Sequence, residues 1–206
     1  MKTTKTLITT TRILLLLFGC SKDDDNNAFT PTLPEATQTG KNTFGCYIDG
    51  MLLTPRDGTG STLGSDYGML FFVGPENSPY NELRVRDYKS GNGGLLQLHF
   101  NALEDNGEGN FIINESNCEN GIDANPNINI RCRMWDDNLQ VFKWYCSIEN
   151  GGTINITYFD LENRIVSGTF SCSAQNRDDP EDIIEITQGR FDINRSTLSN
   201  TTFQKT

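Results

Sequence analysis

Histidine is nearly absent from this sequence, which has His99 as its single example among 206 residues. Histidine is the commonest general base in enzymes, so a histidine-centred triad would have to use His99, and no motif nominates a serine or cysteine partner for it. The sequence also lacks the G-x-S-x-G, H-E-x-x-H, G-x-x-x-x-G-K-[ST] and EF-hand patterns. We therefore predict no catalytic residue, no metal ligand and no cofactor.

Basic residues are scarce: 17 Lys and Arg stand against 27 Asp and Glu, a net charge of −10. Nucleic-acid binding draws on Lys and Arg that neutralise phosphates, and binding to anionic lipid head groups needs a basic segment. The composition argues against both kinds of partner. It favours a solvated acidic surface that aids solubility.

The many acidic residues do not single out a site. A glycosidase needs two carboxylates across a cleft, but 27 acids offer too many pairs to choose from. Residues 104–108 and 178–182 could supply oxygen ligands to calcium, yet both fall where hairpin turns are expected. We interpret them as solvated loops, with calcium binding as the alternative.

A hydrophobic run long enough to span a membrane is also missing. Residues 13–18 form a short apolar segment, preceded by Lys2, Lys5 and Arg12, whereas a spanning helix needs roughly 20 apolar residues. A basic start followed by a short apolar core is typical of an export signal. We predict a signal peptide over residues 1–19.

Cys20 directly follows this leader in the run Leu17-Phe18-Gly19-Cys20, which resembles the lipobox of bacterial lipoproteins. The resemblance implies that the Cys20 thiol is acylated and that the leader is cut before it. The predicted partner is therefore a membrane, to which lipid on Cys20 anchors the protein. Phe18 departs from the small residue usual at its position. Two or three acyl chains give stable anchoring.

Residues 20–42 are poor in apolar side chains and rich in Asp, Asn, Thr and Pro, the composition of a flexible acidic tether. Its first part, residues 21–25 (SKDDD), resembles the export signal that sends lipoproteins of the Bacteroidota to the outer leaflet of the outer membrane. We expect the protein there, facing the exterior. The alternative is a charged spacer on a lipoprotein that faces the periplasm.

Five cysteines remain after Cys20, and none forms a C-x-x-C pair, so the basic signal of a zinc ribbon or thioredoxin-like site is missing. Export permits disulfides without requiring them. Structural bridges and buried free thiols both stay open at this point. These cysteines are Cys46, Cys118, Cys132, Cys146 and Cys172.

From residue 43 to 206 the pattern is strand, turn, strand. Asp49-Gly50 tolerates the positive φ angles of a type I′ hairpin turn, and Gly, Asn, Asp and Pro clusters separate the other apolar segments. We predict one all-β antiparallel domain, a sandwich or barrel of about 8–11 strands, with a short helix possible at 114–127. The candidate strands from which these would be drawn are 43–48, 51–54, 67–73, 82–88, 94–103, 110–113, 128–135, 139–148, 153–160, 165–174, 182–187 and 190–194.

Alternation of apolar and polar residues assigns side chains to faces. Phe44, Cys46, Phe170 and Cys172 are predicted to point into the core. In residues 128–135, the arginines and Trp135 share the polar face. In residues 82–86, Leu83 and Val85 point inward, and Glu82, Arg84 and Arg86 lie on the other face.

Three residues are candidates for ligand contact. His99 is most simply a surface residue of its strand, because Leu98 and Phe100 take the inward positions. Trp135, on a polar face, could stack on a sugar through its ring, whereas Trp144 is assigned to the core. Trp135 and His99 are therefore the tentative ligand-binding residues.

Residues 33–55, 164–172 and 186–193 look like parts of a family of uncharacterised outer-membrane lipoproteins of the Bacteroidota. The resemblance covers both ends of the domain and leaves residues 57–150 unmatched. It implies an envelope lipoprotein with a single β-rich domain, and it carries over no catalytic residue.

Together these observations favour a surface-exposed, lipid-anchored binding or interaction module, with a glycan or a protein as its ligand. One alternative is a hydrolase of envelope or extracellular polysaccharide. Another is a structural subunit of an envelope complex.

Overall fold

The computed structural model describes residues 30–59, 66–88 and 92–204. The predicted leader (residues 1–19), the predicted lipidation residue Cys20 and the first part of the predicted tether lie outside the described residues. No helix within the described ranges is long and apolar enough to cross a membrane.

All of the main elements are β-strands, and every strand pair is antiparallel, which confirms the all-β antiparallel prediction. A four-residue helix, α1 (Leu103–Asn106), and a 3-10 turn at Leu198–Asn200 are the other regular elements of the described chain. The strands are β1 (Thr43–Ile48), β2 (Met51–Leu53), β3 (Met69–Val73), β4 (Tyr80–Arg86), β5 (Leu95–Asn101), β6 (Gly109–Ile113), β7 (Asn129–Asp136), β8 (Val141–Asp160), β9 (Ile165–Asn176) and β10 (Asp179–Asn194).

The strands form one sheet in the order β2-β1-β10-β9-β8-β7-β5-β4-β3, and β6 pairs with the later part of β8. This sheet is not closed into a barrel: in the described chain, β2 pairs with β1 and β3 pairs with β4. Instead the sheet curls over itself. This curl brings Phe100 of β5 against Phe191 of β10, with ring centroids 6.0 Å apart. The inner faces of its two halves thus share one core.

The core contains the residues that alternation placed there. Phe44, Cys46, Phe170 and Cys172 are all buried, as predicted, and the rings of Phe44 and Phe170 lie 5.8 Å apart. Aromatic pairs at this separation add to the free energy gained from burying their apolar area.

Two of the strands are longer than predicted because the expected breaks are bulges. Asn150 has φ 51° and Gln188 has φ 53°, and the pairing register shifts at both places. A bulge bends a strand without ending it, so β8 and β10 run through the Asn-Gly-Gly and Gln-Gly sequences. The Asp49-Gly50 turn has positive φ at both residues, as predicted.

The expected helix at 114–127 is not formed. Residues 114–128, called the covering loop below, contain no helix, and a disulfide between Cys118 and Cys146 of β8 ties the loop to the sheet. Cys46, Cys132 and Cys172 are buried and free, and burial raises the pKa of each thiol. The described chain therefore contains a disulfide bridge as well as buried free thiols, the two alternatives that the composition left open.

The end of the segment assigned to the tether lies on the domain. The buried Asp192 carboxylate accepts hydrogen bonds from the Thr37 hydroxyl at 2.6 Å and from the Gly40 amide at 2.7 Å. The amides of Thr39 and Lys41 donate to it as well. These residues belong to the compact unit that runs from Pro31 to Thr206.

Candidate functional site

Four arginines occupy the outer face of the sheet, the face turned away from the core. Arg84 pairs across the strands with Gln97 of β5, which pairs with Arg131 of β7. In the next row, Arg86 and Arg133 both pair with Leu95. Strand geometry then places their Cα atoms at the corners of a rectangle about 7 Å along the strands and about 10 Å across them.

Each of these guanidinium groups lies over its own aromatic ring. Arg131 lies 3.9 Å from the Trp144 ring centroid, and Arg133 lies 4.0 Å from that of Phe142. Such contacts stabilise a cation through the electron-rich ring face. The other two pairs are Arg84 over Phe72 at 4.6 Å and Arg86 over Tyr88 at 4.4 Å.

The arginines line a groove of about 330 Å³, called the arginine groove below. Its walls include Arg84, Arg86 and Arg131, together with the aromatic residues Tyr67, Tyr88 and Trp144. Arg133 adjoins it, with its guanidinium 5.7 Å from the centre of the Trp144 ring. No carboxylate is among the described residues that line the groove.

Carboxylates neutralise only part of this charge. Glu82 Oε1 accepts hydrogen bonds from Arg84 Nη2 at 3.2 Å and from Gln97 Nε2 at 3.1 Å. Within the part of the chain that the structure describes, no carboxylate is in ion-pair distance of Arg86, Arg131 or Arg133. On a chain of net charge −10, the groove is a local concentration of positive charge.

Burial and mutual repulsion act on these cations. Burial lowers the pKa of Arg131; the Glu82 carboxylate opposes this, and the neighbouring Arg177, Arg84 and Arg133 add to it. Burial also lowers the pKa of Arg133, and Arg86 contributes in the same direction. An anion bound in the groove would raise the pKa of Arg131 and of Arg133 again, since an opposite charge nearby favours the protonated form.

Several arginine nitrogens have unused hydrogen-bonding capacity. Nε and Nη1 of Arg131, and Nε of Arg84 and Arg133, are buried and have no partner among the described residues. A buried donor without a partner costs free energy, and because protein atoms cover these nitrogens, a ligand would bond to the other nitrogens of the same groups. Guanidinium groups bind carboxylate, sulfate and phosphate oxygens through charge-assisted hydrogen bonds. The groove therefore has the chemistry of an anion-binding site.

The covering loop closes the neighbouring part of the outer face. Asn120 accepts a hydrogen bond from Gln97 at 3.2 Å, and Pro126 accepts one from Asn101 at 2.8 Å. With the disulfide at Cys118, these contacts hold the loop across β5. The loop thereby forms one wall of the arginine groove, through Asn120.

His99 lies beneath this loop, and the prediction of a surface residue is wrong. Its side chain does point outward, but only 4% of the residue is exposed, and its ring lies 5.1 Å from that of Tyr80. Burial lowers the pKa of His99, against the opposing effects of Glu82, Asp123 and a hydrogen bond to the Asn125 backbone. The Cys118–Cys146 disulfide holds the loop over His99. The alternation of residues along β5 could not predict that a loop from another part of the chain covers this position.

Trp135 lies at the far end of β7 from His99. His99 pairs with Asn129, and Trp135 is six residues further along the strand, about 20 Å away at the rise of a β-strand. The Trp135 ring meets the edge of Phe142 at 5.0 Å. The two tentative ligand-binding residues therefore do not share a site.

The assignment of Trp144 to the core is also wrong. Trp144 pairs with Arg133 on the outer face, and its neighbour Tyr145 is the residue buried in the core. The tryptophan contacts an arginine rather than the apolar interior. Sequence reasoning missed the arginine groove, whose signal was the pair of R-x-R sequences at 84–86 and 131–133.

A second depression, of about 320 Å³, lies beside the disulfide and has Glu115 and Glu149 on its wall. Both residues are exposed. A catalytic acid usually lies in a buried, apolar setting, and these exposed carboxylates lack it. Within the described chain, no group of His, Cys, Asp or Glu is arranged to hold a metal ion, including residues 104–108 and 178–182.

No family model, no curated protein and no solved structure matches this chain. The class that the fold and the groove define is an open, curled antiparallel sheet with a cationic, aromatic-lined groove on its outer face.

Proposed function

We propose that this protein is a lipid-anchored binding module that captures an anionic ligand in the arginine groove. The observation that carries the proposal is the set of arginines that lie on aromatic rings without enough carboxylates to neutralise them. Stacking holds each side chain in place before a ligand arrives, which lowers the entropic cost of binding.

The lipidation of Cys20 and display on the outer leaflet of the outer membrane form the second part of the proposal. Its support is the lipobox-like sequence, the acidic run after it and the resemblance to lipoproteins of the Bacteroidota. Proteinase treatment of intact cells tests the location. Digestion of the domain without permeabilising the outer membrane is expected, and complete protection would contradict outer-leaflet display.

Binding is tested with the full-length protein in a neutral detergent at low ionic strength, against panels of carboxylated, sulfated and neutral glycans. The wild-type protein is expected to bind members of the anionic panels, with affinity that falls as salt is added, because salt screens exposed charges. The variant with Arg131→Gln and Arg133→Gln is expected to lose this binding.

Arg164→Gln is the matched control, since Arg164 is an exposed arginine outside the groove. It should bind as the wild type does. Equal binding by the wild type and the double variant, or no binding to any anion, would contradict the proposal and leave the arginines a structural role as covers of the aromatic rings.

A further inference from the structure

We infer that the ligand of the arginine groove is an acidic oligosaccharide that carries at least two carboxylate or sulfate groups. The inference rests on the proposed anion-binding function and specifies the chemistry of the ligand. It follows from the spacing of the arginines, from their position in the sheet and from the other side chains around the groove.

The arginines are spread over two rows of the sheet face. The ring nearest to each guanidinium group is a different one, and Arg133 also lies 5.7 Å from the centre of the Trp144 ring on which Arg131 stacks. The strand register separates the Cα atoms of the two rows by about 7 Å and those of the members of each row by about 10 Å. A single small anion reaches part of this array, whereas a ligand with separated anionic groups engages both rows.

The overall charge argues against a nucleic acid. Nucleic-acid binding draws on many Lys and Arg residues that neutralise successive phosphates, whereas the groove offers a local set of arginines. The net charge of −10 on the whole chain would also repel a long polyanion beyond the groove. A short chain with one acidic group on each sugar ring, or on every second ring, fits the array better.

The position of the groove argues against an extended peptide. A peptide that adds a strand to a sheet needs a free sheet edge, whereas the groove lies across the face of the sheet from β3 to β8, with its arginines on β4 and β7. A helical ligand needs an apolar groove for its anchor residues. The walls of this groove are mainly arginine, tyrosine and amide side chains.

The remaining groups suit a sugar. Tyr67 is 47% exposed at the groove and offers the face of its ring, and aromatic faces pack on the apolar side of a sugar ring. Asn120 accepts from Gln97 through its oxygen, which leaves its NH₂ group as a donor for a hydroxyl. A uronic-acid or sulfated oligosaccharide supplies anionic groups, hydroxyls and apolar ring faces together.

Isothermal titration calorimetry on the full-length protein in neutral detergent tests the inference with defined probes. These are galacturonic acid, tri- and pentagalacturonic acid, a neutral galactose trisaccharide, a sulfated disaccharide pair differing by one sulfate, a Glu-rich peptide and single-stranded oligothymidine. We expect the acidic trisaccharide or the disulfated disaccharide to bind at least about tenfold more tightly than its singly charged counterpart, because a second linked contact raises the effective concentration. The neutral sugar should not bind.

Variants separate the rows. Arg86→Gln with Arg133→Gln should reduce the affinity for the multiply charged sugar to that of the singly charged one, with little effect on the latter. Arg133→Lys keeps the charge and tests for the planar guanidinium fork, and Arg164→Gln is the control. Thermal melts check that each variant is folded, so that a loss of affinity reports on the groove.

The outcomes distinguish the inference from the proposed function. If galacturonic acid binds as tightly as its oligomers, or if the peptide or oligothymidine binds more tightly than every acidic sugar, the inference is overturned while an anion-binding groove stands. If none of the anionic probes binds, both are overturned.

Discussion

Removal of the Cys118–Cys146 disulfide should destabilise the domain and uncover His99. The bridge joins residues separated by 28 positions in the sequence, and the loop-entropy relation gives about 3.5 kcal/mol for a closed loop of that size. We expect the variant with Cys118→Ala and Cys146→Ala to lose about 2–4 kcal/mol of unfolding free energy, the usual range for a native bridge.

The hydrogen bonds of the covering loop limit the damage. Asn101 of β5 donates to Pro126 at 2.8 Å, and Gln97 of β5 donates to Asn120 at 3.2 Å. These bonds keep the loop near the sheet, so the variant should fold with a less protected His99. The pKa of His99, measured by NMR titration, should then rise toward its ordinary value, because burial is the main cause of its lowering.

Urea unfolding followed by tryptophan fluorescence measures the stability change. The control is reductant: it should destabilise the wild type by a similar amount and leave the double variant unchanged, since Cys46, Cys132 and Cys172 are free already. A loss below about 1 kcal/mol, outside the usual effect of removing a native bridge, together with an unchanged His99 pKa, would refute the idea that the bridge holds the loop over the histidine.

Three further predictions concern buried side chains. Because burial lowers the pKa of His99, the unfolded chain binds a proton more readily than the folded chain. The unfolding free energy should therefore be at its full value above about pH 6.5 and fall below that pH. His99→Gln should flatten this pH dependence in urea unfolding, and an unchanged slope in the variant would contradict the prediction. Asp192→Asn should cost about 1–3 kcal/mol of unfolding free energy and increase amide exchange at residues 39–41, and wild-type exchange in the variant would argue against an anchoring role. Burial alone would raise the pKa of Asp192, but hydrogen bonds from Thr37 and Ser167 and from the backbone hold it low. The stability that the Asp192 carboxylate contributes is therefore lost as the pH falls below the ordinary aspartate pKa. Phe170→Ala should cost about 3–5 kcal/mol, because Phe170 is buried between the rings of Phe44 and Phe191; calorimetric melting checks it, and a loss below about 1 kcal/mol would mean that the core refills the cavity.

Local patterns in the sequence determined where most strands lie. The alternation in residues 128–135 placed Ile130 and Cys132 inward, and both are buried. The Asp49-Gly50 dipeptide located a hairpin because positive φ is a property of the residues themselves. Such features depend on neighbours within a few positions, and the sequence contains them in full.

The extent of β8 and β10 depended on more distant contacts. Asn-Gly-Gly at 150–152 reads as a turn, yet its residues continue a strand, because β9 pairs with β8 on both sides of the irregularity. Turn propensity is weaker than the sum of the flanking ladder hydrogen bonds and buried side chains. The left-handed φ of Asn150 is thereby accommodated in a bulge.

The candidate site is a product of tertiary structure. Alternation placed Arg84, Arg86, Arg131 and Arg133 on a polar face, but it could not state that β5 would pair with β7, past β6, and bring the two R-x-R sequences into facing rows. Strand pairing is chosen by the global burial of apolar faces, and that choice involves residues far apart in the sequence.

The sequence alone thus determined the all-β class, the phase of most strands and the core positions of Phe44 and Phe170. The tertiary structure decided the rest: Trp144 lies against arginine instead of the core, His99 is covered by a loop held through Cys118, and four arginines lie over separate rings. The physical reason is the sequence distance over which each feature is decided. The periodicity that predicts a strand depends on adjacent residues, whereas the groove is formed by strands that are far apart in the sequence and meet only in the folded sheet.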